Sequence, residues 1–162
     1  MLTIALCLSI LSLPDPRPGG SALRSLTPEL HWIIQDTAAR SATARALIAR
    51  LGNTDAIVYV ERTSSPQVPV ARTKLVTSVS GARFLRIGIN TAVRFADLGP
   101  MLAHELQHAV EIAERDEVRD EDDVRDLYQK IGRARGGDRF ETEAARDVEW
   151  IVRQELNAKM GG

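Results

Sequence analysis

Apolar residues recur along this chain with one of two periods, and the changes of period mark where one element gives way to the next. Between Thr27 and Leu51 they return every three or four residues: Leu30, Ile33, Ile34 and Ala38, then Leu47, Ile48 and Leu51. That spacing lines one face of a helix. Thr27-Pro28-Glu29 reads as a helix start, with Thr as cap, Pro at the first helical position and Glu favouring the dipole. Ser41 is expected to cap a second helical piece, which Gly52-Asn53 ends. Ala56–Arg62 is then a β-rich run. A loop holding Ser64, Ser65, Pro66 and Pro69 precedes two more predicted strands, Lys74–Val79 and Arg83–Asn90, joined by a turn at Ser80-Gly81. In the last strand Phe84, Leu85, Ile87 and Ile89 are expected inward and Arg83 and Arg86 outward, an imperfect alternation.

The helical period resumes with Leu98, Met101, Leu102, Ala109, Ile112 and Ala113. Asp97 is the expected N-cap there, with the Gly99-Pro100 step in the first turn. Val124, Leu127, Tyr128 and Ile131 give a short amphipathic helix. Arg133 to Gly137 reads as a hinge-like linker, and Arg139–Lys159 as the last long helix, with Phe140, Ala144, Ala145, Val148, Ile151 and Val152 on one face. The elements together give an α+β chain over residues 27–162, in the order N-terminal helices, strands, a central helix and a long C-terminal helix.

Residues 1–26 stand apart. Met1 to Leu13 is almost wholly apolar, too short to span a bilayer, and broken by Pro14-Asp-Pro-Arg-Pro-Gly-Gly20. Its length is that of a signal-peptide core, although no Lys or Arg precedes it and no clean cleavage site follows. We read it as a signal peptide with a misplaced start, followed by a linker over 14–26; a buried N-terminal helix or strand is the other reading. The first implies a secreted or periplasmic protein, the second a cytoplasmic one. The 162 residues, 44% hydrophobic and 27% charged, suit one globular domain. A net charge of -1 gives no reason to expect nucleic acid as a partner. Cys7 is the one cysteine, so neither an internal disulfide nor a cysteine-based zinc site can form. The seven carboxylates from Asp116 to Asp126 read as a solvated loop and helix face, since a calcium-loop pattern is absent.

The chemistry concentrates at His104-Glu105-Leu106-Gln107-His108, an H-E-x-x-H motif on the predicted central helix. Residues four apart lie on one helical face, so His104 and His108 can aim two imidazoles at one metal ion. Glu105, one residue on, stands beside that metal and can take a proton from the water it activates. Glu105 also falls inside the apolar stripe, where a charge is costly unless paired or put to use. With cysteine excluded, the remaining ligands of a Zn²⁺ site are His and carboxylate. The chain has three histidines, and His31 lies far upstream near a helix start, where a structural role is expected.

A catalytic zinc takes three protein ligands and keeps a fourth position open. On the predicted last helix Glu141 points near the middle of the apolar face, whereas Glu143 and Glu149 point away and Glu155 faces inward nearer the chain end. Glu141 is therefore the expected third ligand, unless it bonds an arginine or a helix end instead. Tyr128 is a candidate oxyanion donor, with burial in the core as its alternative.

H-E-L-Q-H followed by a helix carrying Glu resembles the gluzincin branch of the zincin metallopeptidases. In the CAAX-protease type the second motif reads roughly R-x-x-E-x-x-A-D; Arg139-Phe-Glu-Thr-Glu-Ala-Ala145 is similar, with Ala145 where Asp would stand. That leaves open what orients a ligating histidine, Asp147 and Glu111 being the candidates. The chain also resembles short bacterial proteins carrying H-E-L-Q-H-A and a later Phe-Glu-Thr-x-Ala-Ala, over most of residues 27–156. The resemblance implies a small zincin-like domain, its short twisted sheet packed on the motif helix, hydrolysing peptide bonds with a zinc-activated water: His104, His108 and Glu141 as ligands, Glu105 as the base, and a peptide or protein as substrate. It also implies a strand before the motif helix whose edge holds the peptide, and Arg83–Asn90 is placed for that. A non-catalytic zinc-binding or regulatory protein on the same scaffold is the alternative.

Overall fold

Two serine/threonine caps set the N-terminal architecture. In a computed structural model, which describes residues 22–63, 71–134 and 140–158, Thr27 Oγ1 accepts the Leu30 N–H and Pro28 opens α1 (Pro28–Arg40). Ser41 Oγ accepts the Ala44 N–H and starts α2 (Ala42–Gly52), with Asn53 closing it. Both caps satisfy helix N–H groups that would otherwise lack partners. Ahead of them, Leu23–Ser25 forms a short strand, β1, so the expected linker over 14–26 is corrected in its last residues. The rest of that segment, the apolar run and Cys7 lie outside the described residues.

The fold is α+β, with five helices and a mixed four-stranded sheet of order β1-β2-β4-β3 among the described residues. β2 (Ala56–Arg62) runs parallel to β1 and to β4 (Ala82–Ile89), and β3 (Ala71–Val79) is antiparallel to β4. The turn between β3 and β4 has φ of 51° at Ser80 and 80° at Gly81. Both positive values suit a two-residue hairpin, which is why glycine stands second. β4 is paired along both edges, and the expectation that its edge holds a substrate strand fails. Among the described residues the edge strands are the three-residue β1 and the longer β3.

Val58, Val60, Leu75, Leu85, Ile87 and Ile89 of the sheet enter one core with Leu30, Ile33, Leu47 and Leu51. That core closes on α3 (Phe95–Ala113), whose Leu102, Leu106, Ala109, Val110 and Ile112 are almost fully buried. α3 begins two residues before the expected cap. Asp97 lies in its first turn and pairs with Arg94 and Arg153 instead of capping, and Pro100 sits inside the helix. Gly99 is required by contact. A Cβ there would stand 2.7 Å from Leu156 Cδ1 and 2.9 Å from Thr37 Oγ1, so α1 and the last helix both press on α3 at this point.

Arg83 is the largest departure from the expected pattern. It shares parity with Leu85, Ile87 and Ile89 and points inward, fully buried. Its guanidinium donates to the carbonyls of Ile112, Ala113, Arg115 and Val118 and pairs with Asp55. The fixed fork of N–H donors is shared between Asp55 and carbonyls left open at the end of α3 and in the loop that follows it. The acidic segment that follows is solvated, as expected, and supplies a capping box: Asp120 and Asp123 start α4 (Glu121–Ile131), which buries Leu127 and Tyr128.

The hinge-like segment opens as a two-residue strand, β5 (Arg133–Ala134), paired with β6 (Phe140–Glu141); residues 135–139 lie outside the described part. The last helix, α5, begins at Glu143 and runs to Ala158. Thr142 Oγ1 accepts the Ala145 N–H, so Thr142 caps it, and Glu141 precedes the helix. Glu155 faces inward as expected and accepts from Ser41 and Thr43, which binds α5 to the start of α2. Among the described residues no helix is long and apolar enough to cross a membrane.

Candidate metal centre

α3 places His104 and His108 one turn apart, with ring centroids 4.9 Å apart. β6 brings Glu141 to both. Its Oε1 lies 3.4 Å from His104 Nε2 and 3.8 Å from His108 Nε2, and the donor atoms of all three residues lie within 4.8 Å of one another. Three ligands on a tetrahedral ion with bonds near 2.0–2.1 Å stand about 3.3 Å apart. The cluster is thus close to the size that such an ion needs. His31 is exposed on α1 and takes no part.

The helical reasoning behind Glu141 is corrected even though the residue stands in the cluster. It does not project from an apolar helix face. A two-residue bridge to Arg133 and the anchored Thr142 hold it. Glu149 was expected to point away, yet Glu149 Oε2 lies 3.2 Å from His104 Nδ1. The buried residues of α5 are Ala145, Val152 and Leu156, and position 149 completes that stripe at helical spacing. Glu143 and Asp147 are exposed and line a cleft of about 330 Å³ beside Glu141, with Arg146 and Trp150.

His108 Nδ1 is 2.9 Å from Glu111 Oε2, so Glu111 is the carboxylate that orients this histidine, and Asp147 does not. Glu111 Oε1 accepts from Gln107 at 3.2 Å and from Thr142 Oγ1 at 2.8 Å. Burial pushes the Glu111 carboxyl up, but the hydrogen bonds from His108, Thr142 and Gln107 outweigh it and leave it lowered. The Glu149–His104 contact has ion-pair distance without hydrogen-bond alignment. Among the described residues His104 Nδ1 and Glu141 Oε1 are the buried side-chain atoms left without a hydrogen bond.

With a carboxylate beside each Nδ1, the ring proton of either neutral histidine belongs on Nδ1, and both Nε2 lone pairs then face Glu141 Oε1. Three acceptors converge with no donor between them. A cation removes that repulsion, either a proton or a metal ion. Burial lowers the His104 pKa, but Glu149, Glu105 and Glu141 together raise it above the ordinary value.

Glu105 lies beside this cluster, 5% exposed, with Thr73 Oγ1 of β3 at 2.6 Å from Oε2. Burial raises its pKa, against lowering by His108, Thr73 and His104. A carboxyl moved toward neutrality is better suited to exchange protons. Tyr128 packs edge-on to His108, and its hydroxyl donates to the His108 carbonyl at 3.3 Å. Burial holds that phenol well above its ordinary value. Its hydroxyl is already engaged away from the cluster, which removes it as the expected oxyanion donor.

Thr73, Thr142, Gln107 and Glu149 were not foreseen as parts of the centre. Thr142 carried a signal, being a cap residue followed by an acid and two alanines. Thr73 carried none, because only the sheet brings it to Glu105. Compared with known families, curated proteins and solved structures, the chain finds no match.

Proposed function

We propose that this chain is a zinc-dependent peptidase of gluzincin type. The observation that carries the reading is the convergence of two imidazole Nε2 atoms on one buried, unbonded carboxylate oxygen, with a second buried carboxylate next to them. His104, His108 and Glu141 would hold the ion. Zinc in such a site supplies a Lewis acid that polarises the scissile carbonyl and lowers the pKa of water.

The chain's own residues do the rest. Glu111 keeps the His108 proton on Nδ1, so Nε2 presents a lone pair. Glu149, at 3.2 Å from His104 Nδ1, favours the same tautomer there through its charge. Glu105 takes a proton from the attacking water and passes it to the leaving amine, while Thr73 holds the carboxylate in place. The free edge of β3, which carries Thr73, takes the extended substrate by strand addition, in the role first assigned to β4.

The test combines metal content with turnover. Purified chain should carry one zinc per molecule, lost in His104→Ala. Glu105→Gln should keep zinc while peptide hydrolysis falls by about 10²–10⁴-fold, the size of a general-base contribution. A chain that binds no zinc refutes the centre. A chain that binds zinc and cleaves no peptide in a diverse pool is the non-catalytic metal protein, a reading that the close burial of Glu105 and His108 also fits.

A further inference from the structure

The open edge of the sheet is charged on one side of the strand only. Along β3, Thr73 points inward to Glu105, so Arg72 and Lys74 point to the opposite face. On that face the register lines up Arg24, Tyr59, Arg86 and Lys74 across all four strands, with Glu61, Gly88 and Arg72 in the next row. Four cations therefore stand against one carboxylate. Glu61 is taken by Arg86 at 3.4 Å, and Arg24 bonds the Tyr59 hydroxyl at 3.1 Å. Arg72 and Lys74, the two on the free edge, have no ion pair among the described residues.

This asymmetry is local. The whole chain has net charge -1, and residues 64–70, which lead into β3, include no acid. The acidic segment after α3 meets β3 at its other end, where Ser78 bonds the Arg119 carbonyl. Positive charge is thus confined to the stretch of edge that flanks Thr73.

A peptide added to this edge has its alternation set by β3. The residue opposite Thr73 faces the helix and Glu105, and its two neighbours face Arg72 and Lys74. Cross-strand partners have Cβ atoms about 4.5–5.5 Å apart, close enough for opposite charges to attract and like charges to repel. We infer that the β3 edge selects extended peptides with an acidic side chain on each side of the residue presented to Glu105. The inference takes its location from the proposed peptidase site, but binding and turnover can be read separately.

The test uses full-length Glu105→Gln, which holds peptides without cleaving them, and three labelled capped hexapeptides centred on Glu-Ala-Glu, Gln-Ala-Gln or Lys-Ala-Lys. Fluorescence anisotropy reads binding. An exposed pair contributes about threefold, so the Glu peptide should bind about tenfold tighter than the Gln peptide at low salt. The gap should narrow as salt shortens the screening length. Arg72→Glu with Lys74→Glu should reverse the order and favour the Lys peptide. Equal binding of Glu and Gln peptides, no binding of any, or an unchanged order in the reversed chain overturns the inference. An unchanged order with aggregation of the reversed chain overturns it too, and makes the two cations guards against edge pairing. A wild type that binds acidic peptides and cleaves none sinks the peptidase reading and leaves this one standing. Equal cleavage of acidic and neutral peptides does the opposite.

Discussion

Replacing Glu111 by Gln keeps volume and shape, removes a negative charge, and exchanges one of two acceptor oxygens for an NH₂ donor. The carboxylate receives His108 Nδ1 on one oxygen and Gln107 and Thr142 on the other. An amide has one oxygen and one NH₂. If its oxygen stays with Gln107 and Thr142, its NH₂ faces His108 Nδ1, which must then accept, and the ring proton moves to Nε2. If the amide flips, NH₂ meets the donors of Gln107 and Thr142. The first arrangement breaks fewer bonds, so we expect Glu111→Gln to switch the His108 tautomer. One buried hydrogen bond made or mismatched changes stability by about 1–3 kcal/mol. Loss of a carboxylate behind a ligating histidine lowers metal affinity by about 10–100-fold. Long-range proton–nitrogen correlation on metal-free chain above pH 8 reads the tautomer, chelator competition reads zinc affinity, and urea unfolding reads stability. Wild-type His108 protonated on Nε2, or a variant that binds zinc as tightly as wild type, refutes the reasoning.

Arg83→Met should cost about 3–5 kcal/mol in urea unfolding, because it strips the carbonyls at the end of α3 and leaves Asp55 facing a buried apolar chain. Burial raises the Asp55 carboxyl, but hydrogen bonds from Arg83 and Arg119 outweigh it and leave its pKa below the ordinary 3.8. A lowered acid contributes stability that is complete above its unfolded value and fades as pH falls through the folded one. Wild type should therefore lose more stability than Asp55→Asn between pH 5 and pH 2, as thermal unfolding across that range will show. Gly99→Ala should lower the melting temperature even though Ala is the better helix former, because its Cβ meets Leu156 and Thr37 below 3.0 Å. A rise in melting temperature would mean that α5 yields at this contact.

Much of the frame was legible because local chemistry decided it. Thr27 and Ser41 cap their helices, Ala56–Arg62 is a strand as read, and Ser80-Gly81 turns as its residue types suggest. The motif helix followed from its stripe. Two failures came from the period, overridden by residue type in one case and wrongly phased in the other. Arg83 lies two positions from Leu85 and so belongs inward, yet its charge argued for solvent. Glu149 lies four from Ala145 and three from Val152, yet was placed outside because the helix was phased from Phe140. The helix starts only at Glu143, and a wheel begun outside it carries a false phase. What no local pattern could supply was the sheet order. The strand beside the motif helix in sequence became an interior one, and the edge with Thr73 came from earlier in the chain.

The fixing of α3 at two distant points has a consequence for motion. Near its start Gly99 is wedged between Thr37 and Leu156; at its end two carbonyls of the helix and two of the loop after it hang on Arg83. A beam clamped at both ends does not hinge in the middle, where His104 and His108 stand. Glu141 is held differently, by a bridge of two residue pairs and one capped threonine. Any breathing of the cluster is therefore a departure of Glu141 from a stationary histidine pair. In hydrogen exchange the amides of residues 102–112 should open only with global unfolding, while those of residues 140–142 open at much lower free energy. Ion entry and exit would then be timed by the one donor that the helix does not carry.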